Sequence, residues 1–443
     1  MIAPKIIMAR ILIETYGCTL NQADSRIMGS ILEKSGHSVE YGTYTKASAG
    51  SYDFVIINTC TVKTPTEQKI LNKIKSASNL GTRLIIAGCL ASASPEAVER
   101  AAPNSSIINT RSLTKIASAI DIAASNKRAL FEDKSLFDKM LFYEPTNSAI
   151  AKIPVSEGCL SSCAFCETKF ARGPLNSFSE ELILKAAAAS VTRGAKELEI
   201  TAQDTGAYGL DKKTNIAELL GKIVQVEGDF MIRLGMLNPE HLHRYFDALI
   251  DVYRNKKMYK FIHLPVQSGS NKVLKEMKRN YTVEEFMQYV KELRNKVKGI
   301  SVETDMIVGY PTETQEDFEE SLELIRSTKP EVTNVSKFGA RPHAEASKLP
   351  QLANTEIKRR SIEMSRLVRI VQSEARQRFV GTKQEVLITE QNERSITGRT
   401  ESYISVALAK PGAGDAAGLL GSRMTVDIID STSACLIAHT KEF

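Results

Sequence analysis

Three apolar runs near the start of this chain each stop at a cysteine. Ile11-Leu-Ile-Glu-Thr-Tyr16 leads into Gly17-Cys18, Phe54-Val-Ile-Ile-Asn58 into Thr59-Cys60, and Leu84-Ile-Ile-Ala87 into Gly88-Cys89. Short continuous apolar strands between helical stretches indicate a parallel sheet covered on both faces. Parallel strands place all three thiols at one carboxyl edge, where open α/β sheets bind ligands. Asn21, Thr61 and Ser92 follow closely, where they can cap the next helices, and a helix N-terminus favours thiolate over thiol. Three thiolates arriving on three loops can hold a cubane iron–sulfur cluster and leave its fourth iron open. The plain alternative is cysteine as a small buried hydrophobe, although three strand ends out of three weigh against chance.

A second trio is compact: Gly158-Cys159-Leu-Ser-Ser-Cys163-Ala-Phe165-Cys166. Cys-x3-Cys-x2-Cys can again grip three corners of a cubane. A structural cluster takes four thiolates. An open iron is a place for a small molecule to bind and react, by the logic that keeps a catalytic metal one ligand short. A zinc loop is the competing account. Zinc motifs come as two cysteine pairs or as a cysteine pair with a histidine pair, and neither follows here. The seventh cysteine, Cys435, sits in Ala434-Cys-Leu-Ile-Ala438 and is assigned to packing.

The 443 residues suggest two or three domains. With 42% hydrophobic and 25% charged residues, the composition is that of a soluble globular protein. No run approaches the roughly 20 apolar residues of a membrane span, and the start does not read as a signal peptide. A cytoplasmic protein without disulfides or membrane attachment is expected. The formal charge of +6 permits an acidic partner such as RNA without demanding one.

Residues 1–125 read as a doubly wound α/β domain and 126–147 as a charged linker. Residues 148–345 alternate strand and helix again, with strands at Leu198–Thr201, Phe230–Arg233, Phe261–Leu264 and Asp305–Val308. Thr282-Val-Glu-Glu285 has the capping-box pattern, and Thr314-Gln-Glu-Asp317 is a weaker version of it. Repeated βα units of this length suggest a full or partial TIM-like barrel. Residues 346–379 form a connector helix. Between 356 and 378 it carries seven Lys or Arg (Lys358, Arg359, Arg360, Arg366, Arg369, Arg376, Arg378) against three Glu, as a solvated face or a phosphate-facing one. Residues 380–443 show short β-like runs punctuated by Gly381, Gly398, Gly412, Gly414, Gly418 and Gly421, as in a small antiparallel barrel.

Across nearly its whole length the chain resembles the radical S-adenosylmethionine (SAM) methylthiotransferases. The supporting segments are Thr15–Gln22, Asn58–Glu67, Gly158–Cys166, Thr168–Gly173, Gln203–Gly209, Arg233–Pro239 and His263–Gly269. Within that family it is most similar to the archaeal and eukaryotic group acting on N6-threonylcarbamoyladenosine (t6A) in tRNA. The resemblance implies an N-terminal cluster domain, a radical SAM domain and a C-terminal barrel called TRAM. It implies two [4Fe–4S] clusters, one on Cys159, Cys163 and Cys166 and an auxiliary one on Cys18, Cys60 and Cys89. It also implies two SAM per turnover, one cleaved to a radical that takes hydrogen from carbon 2 of adenine 37 and one supplying a methyl group. The partners implied are the anticodon loop of tRNA and an electron donor, with a monomer favoured. Isopentenyladenosine in tRNA and an aspartate of a ribosomal protein are alternative substrates of the same machinery. A non-catalytic iron–sulfur RNA-binding protein is the alternative of a different class.

Other candidates toward SAM follow from the same resemblance. Phe165 either packs near the SAM adenine or belongs to the core. Glu199 and Arg233 either bind the ammonium and carboxylate ends of SAM or form an ordinary ion pair. His263 closes a strand at the catalytic end, where a structural hydrogen-bonded role competes. Asp204–Gly209 lines an entrance or merely turns the chain. The TRAM stretch departs from a phosphate trap: from 381 to 430 it has five Lys or Arg (Lys383, Arg394, Arg399, Lys410, Arg423) and seven Asp or Glu. Either those few cluster on one face, or the connector helix and Lys272, Lys275, Lys278 and Arg279 do more of the gripping.

Overall fold

The computed structural model describes residues 8–61, 64–391, 395–409 and 418–439. Strands β1 (Arg10–Thr15), β2 (Ser38–Tyr41), β3 (Phe54–Thr59), β4 (Arg83–Gly88), β5 (Ser106–Ile108) and β6 (Leu130–Phe131) form one all-parallel sheet, in the order β2-β1-β3-β4-β5-β6. Every residue of β3 is buried, as its unbroken apolar run requires of a strand covered on both faces. Met28, Leu32, Ile116 and Ile120 cover one face; Ile70, Ile74, Leu90 and Val98 cover the other. The strand order reverses between β1 and β3, so a crevice opens above their carboxyl ends.

The stretch 126–147 is more than a linker. It supplies β6 to the sheet and a helical turn, Lys139–Phe142, whose Lys139 and Met140 are buried. Its charged composition misleads because Lys139 is held by two carboxylates of the packed interior.

Strands β7 (Ile150–Pro154), β10 (Glu197–Thr201) and β11 (Met231–Leu234) form one parallel sheet, and β12 (Phe261–His263), β13 (Ser301–Val308) and β14 (Val332–Lys337) another. Between β7 and β10, the short β8 (Ser156–Glu157) and β9 (Asn176–Ser177) pair antiparallel. The Leu237 N–H donates to the His263 carbonyl at 2.9 Å and joins the two halves into a curved, partial barrel. Thr282 with Glu285 and Thr314 with Asp317 both close reciprocal capping boxes, which start helices Val283–Lys296 and Gln315–Thr328.

Helix Asn354–Gln377 crosses to the last domain. Its basic run divides. Arg360 and Arg376 are buried, Arg360 pairing with Glu313 at 2.7 Å and Arg376 donating to the Glu331 carbonyl at 3.1 Å. Neither therefore faces solvent or phosphate.

Strands β15 (Lys383–Gln391), β16 (Ser395–Thr400), β17 (Ser405–Ala409), β18 (Arg423–Ser431) and β19 (Leu436–His439) close a five-stranded barrel in the order β15-β16-β17-β19-β18. It is not wholly antiparallel, since β17 and β19 run parallel. Cys435, at the mouth of β19, is half-buried beside Thr432 rather than packed in the core. Arg394, Lys410, Gly412 and Gly414 lie outside the described residues. The β16–β17 turn docks beneath the larger barrel, at the amino ends of β12 and β13. Ser402 Oγ donates to the Gly299 carbonyl and the Lys260 N–H to the Glu401 carbonyl, both at 2.7 Å. Among the described residues no helix is long and apolar enough to cross a membrane.

Candidate functional site

Cys18, Cys60 and Cys89 leave the ends of β1, β3 and β4 and meet in the crevice where the strand order reverses. Gly17 has φ +107°, and a Cβ there would come within 2.8 Å of the Cys60 Cβ, so the glycine lets the two loops touch. Asn21 lies between the other two thiols, its Oδ1 3.8 Å from Cys18 Sγ and 3.7 Å from Cys89 Sγ. Its Nδ2 donates to the Tyr16 and Thr59 carbonyls at 2.8 Å each, tying the β1 and β3 loops together. Asn21 is thus no helix cap. Cys18 itself occupies the N-cap of helix Thr19–Lys34, and Ser92 Oγ bonds the Gly88 carbonyl. The expected thiolate-favouring helix start is overridden at Cys89. Burial pushes that thiol up to about 11, despite the Arg172 guanidinium against it. A metal taking this sulfur must displace its proton.

The second trio begins at Gly158, whose N–H donates to Gln203 Oε1 at 2.8 Å. Gly158 has φ +78°, and a Cβ there would overlap the Pro174 carbonyl. Burial, then the charge of Asp204 and the neighbouring thiols Cys166 and Cys163, pushes Cys159 up to about 12. Burial also raises Cys163, against the pull of Arg279, whose Nη1 is 3.3 Å from the Cys163 sulfur.

The two trios share a wall. Thr61, next to Cys60, donates from Oγ1 to Oε2 of Glu167, next to Cys166, at 3.2 Å. Arg341 reaches across from the barrel to Glu67 at 2.9 Å and to the Thr61 carbonyl. Arg172 ends the short helix Thr168–Arg172 and enters the first crevice, where Nε donates to Cys89 Sγ at 3.2 Å.

Zinc draws four donors together, which puts tetrahedral sulfurs about 3.8 Å apart. Neither trio has that compactness. Among the described residues, His263, Glu303 and Asp305 are the group of three or more Cys, His or acidic side chains with all donor atoms within 4.8 Å of one another. Thiols gathered at a crevice without that compactness, from the buried Cys60 and Cys89 to the exposed Cys18, suit a larger body such as a cubane.

The remaining candidates lie elsewhere. Phe165 is half-buried and packs against the cluster formed by Val273, Met277, Tyr310, Phe338 and Ala346. Glu199 is mid-strand in register with Lys152 and Arg233, and its ion partner is Lys152 at 3.7 Å, not Arg233. Arg233 sits over the Phe261 and Tyr403 rings, 5.5 and 5.8 Å from their centroids. Glu199 Oε2 and Arg233 Nε are buried without a hydrogen-bond partner, so both have polar capacity left for a ligand. His263 Nε2 lies 3.2 Å from Asp305 Oδ2. Burial lowers that imidazole, but Asp305 and Glu303 outweigh burial and leave it raised.

Tyr403 and the buried charges around both crevices were not found from sequence. Tyr403, from the β16–β17 turn, plugs the larger barrel from below and donates to Glu197 at 3.1 Å, as Tyr259 does at 3.0 Å. Burial and then the Glu199 charge push Glu197 up to about 7 from an ordinary 4.5. The folded protein therefore keeps a proton there that the unfolded chain loses, and stability falls as pH rises through that interval, by up to about 3 kcal/mol. Glu197→Gln is expected to narrow the drop in melting temperature between pH 5 and pH 8.

Residues 10–109 match the Uncharacterized protein family UPF0004, and residues 153–325 match the Radical SAM superfamily. An Archaeoglobus fulgidus protein named "Probable threonylcarbamoyladenosine tRNA methylthiotransferase" is 41% identical over 404 residues, covering 90% of this chain and 92% of that protein. The human threonylcarbamoyladenosine tRNA methylthiotransferase is 32% identical, covering 95% of this chain and 72% of its own length. This chain belongs to the threonylcarbamoyladenosine tRNA methylthiotransferase family. Its radical SAM domain brings with it a [4Fe–4S] cluster and SAM. Among solved structures it resembles the radical SAM methyltransferase TsrM from Kitasatospora setae, with TM-score 0.56 and 13% identity over 76% of this chain and 77% of that one. That likeness is one of fold. Of the basic residues weighed for RNA, Arg279 is withdrawn from the surface, whereas the Lys272 and Lys278 side chains stay 49% and 48% exposed. Arg279 is buried on Cys163, while Lys272 and Lys278 are paired with Asp317 and Glu345. Arg399 lies 5.0 Å from the Tyr403 ring centroid, and Arg423 pairs with Glu385 and Asp229.

Proposed function

We propose that this protein converts t6A at position 37 of tRNA to its 2-methylthio derivative. Cys159, Cys163 and Cys166 would hold the radical SAM cluster, and Cys18, Cys60 and Cys89 a second [4Fe–4S] cluster. When bound, the first group supplies the electron that turns SAM into a hydrogen-abstracting radical, and the second is the place from which sulfur is delivered. Two SAM molecules serve each turnover, one as radical source and one as methyl donor.

The chain's own residues prepare the site. The Thr61–Glu167 bond, carrying one trio to the edge of the other, is the observation on which the reading rests most. Gln203 pins the turn before Cys159. Asp204, buried near Cys159, accepts the Gly206 and Asn238 N–H groups at 3.0 and 2.9 Å and so fixes the β10 loop beside the trio. Glu199 Oε2, ion-paired to Lys152 but without a hydrogen bond, and Arg233 Nε offer polar capacity inside the barrel to SAM or to the target nucleoside. A base in an anticodon loop suits such a cavity, because loops present bases that A-form helices hide. The working form is a cytoplasmic monomer served by a separate electron donor.

Nucleoside mass spectrometry of tRNA tests the reading. The 2-methylthio derivative of t6A is expected in the parent strain and absent from a strain lacking the gene, with t6A itself retained. Loss of 2-methylthio-isopentenyladenosine instead would overturn the choice of substrate.

A further inference from the structure

We propose that Arg172, from the radical SAM domain, sets the reduction potential of the cluster held by Cys18, Cys60 and Cys89 by donating its Nε–H to the Cys89 sulfur. The inference rests on that trio holding a cluster. Arg172 is among the largest wholly buried side chains of the protein. Nε reaches Cys89 Sγ at 3.2 Å and Nη2 reaches Asn21 Oδ1 at 2.6 Å. Nη1 donates to Asp24 at 2.8 Å and to Glu157 at 3.2 Å. Lys139 Nζ closes the set, 2.9 Å from Asp24 and 2.8 Å from Glu157. Two cations face two carboxylates, and of the two cations it is Arg172 that reaches the Cys89 sulfur.

A hydrogen bond from a cation to a ligand sulfur withdraws electron density and stabilises the reduced cluster more than the oxidised one. Hydrogen bonds to sulfur and net charge are among the protein's main controls of cluster potential. Asp24 works in the opposite sense, since its carboxylate lies against the same guanidinium. The arrangement also has a positional meaning. Arg172 lies six residues after Cys166 on one short segment, so the domain that carries one trio places a charge on the other. Arg279 makes the equivalent contact to Cys163 at 3.3 Å, so each trio has one sulfur held by a buried arginine.

The test uses the full-length Cys163→Ala protein, loaded anaerobically with iron and sulfide so that only the Cys18/Cys60/Cys89 site can hold a complete cluster. Redox titration followed by electron paramagnetic resonance gives its midpoint, and iron analysis gives its occupancy. In that background Arg172→Gln is expected to move the midpoint to lower potential, and Asp24→Asn, which keeps the arginine and removes a negative charge, to higher potential. Should Arg172→Gln fail to fold or load, Asp24→Asn decides alone. Midpoints equal to that of the parent in every variant that loads would overturn the proposal. A parent protein that takes up no cluster would instead overturn the cluster assignment beneath it.

Discussion

Cys60→Ala is expected to leave SAM cleavage measurable while reducing methylthiolated tRNA to the level of a no-enzyme control, and Cys163→Ala is expected to abolish both. The contrast follows from where the two sulfurs sit. Cys163 belongs to the trio after β7, where losing one of three thiolates leaves two ligands for a four-iron body. Cys60 lies at the end of β3, in the crevice of a different domain. Gly17 lies against it, and its neighbour Thr61 donates to Glu167. The measurement is paired: 5′-deoxyadenosine by chromatography and modified nucleoside by mass spectrometry, from one anaerobic reaction. Cys60→Ala protein that still produced the methylthio nucleoside would show that the trios do not act as two sites. Loss of deoxyadenosine in Cys60→Ala would point to a shared cluster or to collapse across the Thr61–Glu167 seam. Iron content separates these, because two occupied cubanes give about eight irons per chain and one gives about four.

The chemistry-bearing cysteines could be read from the sequence because their signal is local. Cys18, Cys60 and Cys89 each follow an apolar run, and one rule about parallel sheets carries them to a common edge. The two capping boxes were legible for the same reason, since a threonine and an acid three residues apart decide the helix start. What escaped depends on distant partners. Lys139 sits in a charged stretch that reads as solvent-exposed linker, yet its carboxylates come from positions 24 and 157. Arg360 and Arg376 read as part of a basic helix face, but Glu313 and the Glu331 carbonyl, on the barrel side, hold them inside. Arg172 had one usable clue: an arginine on the short segment after the second trio, with Glu157 directly before Gly158. The pairing of β17 with β19 had none, because strand direction in a closed barrel is set by the path of the whole chain.

Lys139→Met is expected to destabilise the protein by about 3–5 kcal/mol, the penalty for breaking a buried pair from one side. Lys139 is wholly inaccessible and holds both Asp24 and Glu157 within 2.9 Å. With the ammonium gone, Arg172 alone must compensate two buried carboxylates while also serving Asn21 and the Cys89 sulfur. Asp24 shows what is at stake. Burial alone would raise its carboxyl, but the charges and hydrogen bonds of Lys139 and Arg172 outweigh burial and hold it below the ordinary 3.8. A carboxyl depressed in the fold contributes stability that is present above its ordinary pKa and is lost as pH falls through its folded value. In Lys139→Met that contribution shrinks, so the variant's deficit is expected to be largest near neutral pH and to narrow on acidification, as the stranded Asp24 carboxylate takes up its proton. A drop of about 10 °C or more in the melting temperature of the affected unit is the corresponding signal. The double variant Lys139→Met/Asp24→Asn is expected to recover part of that drop, because removing both partners leaves less unpaired charge than removing one. Equal melting temperatures for the parent and Lys139→Met would mean that this lysine does not fasten the first domain to the barrel. With that, the rigid placement of Arg172 against Cys89 would lose its support.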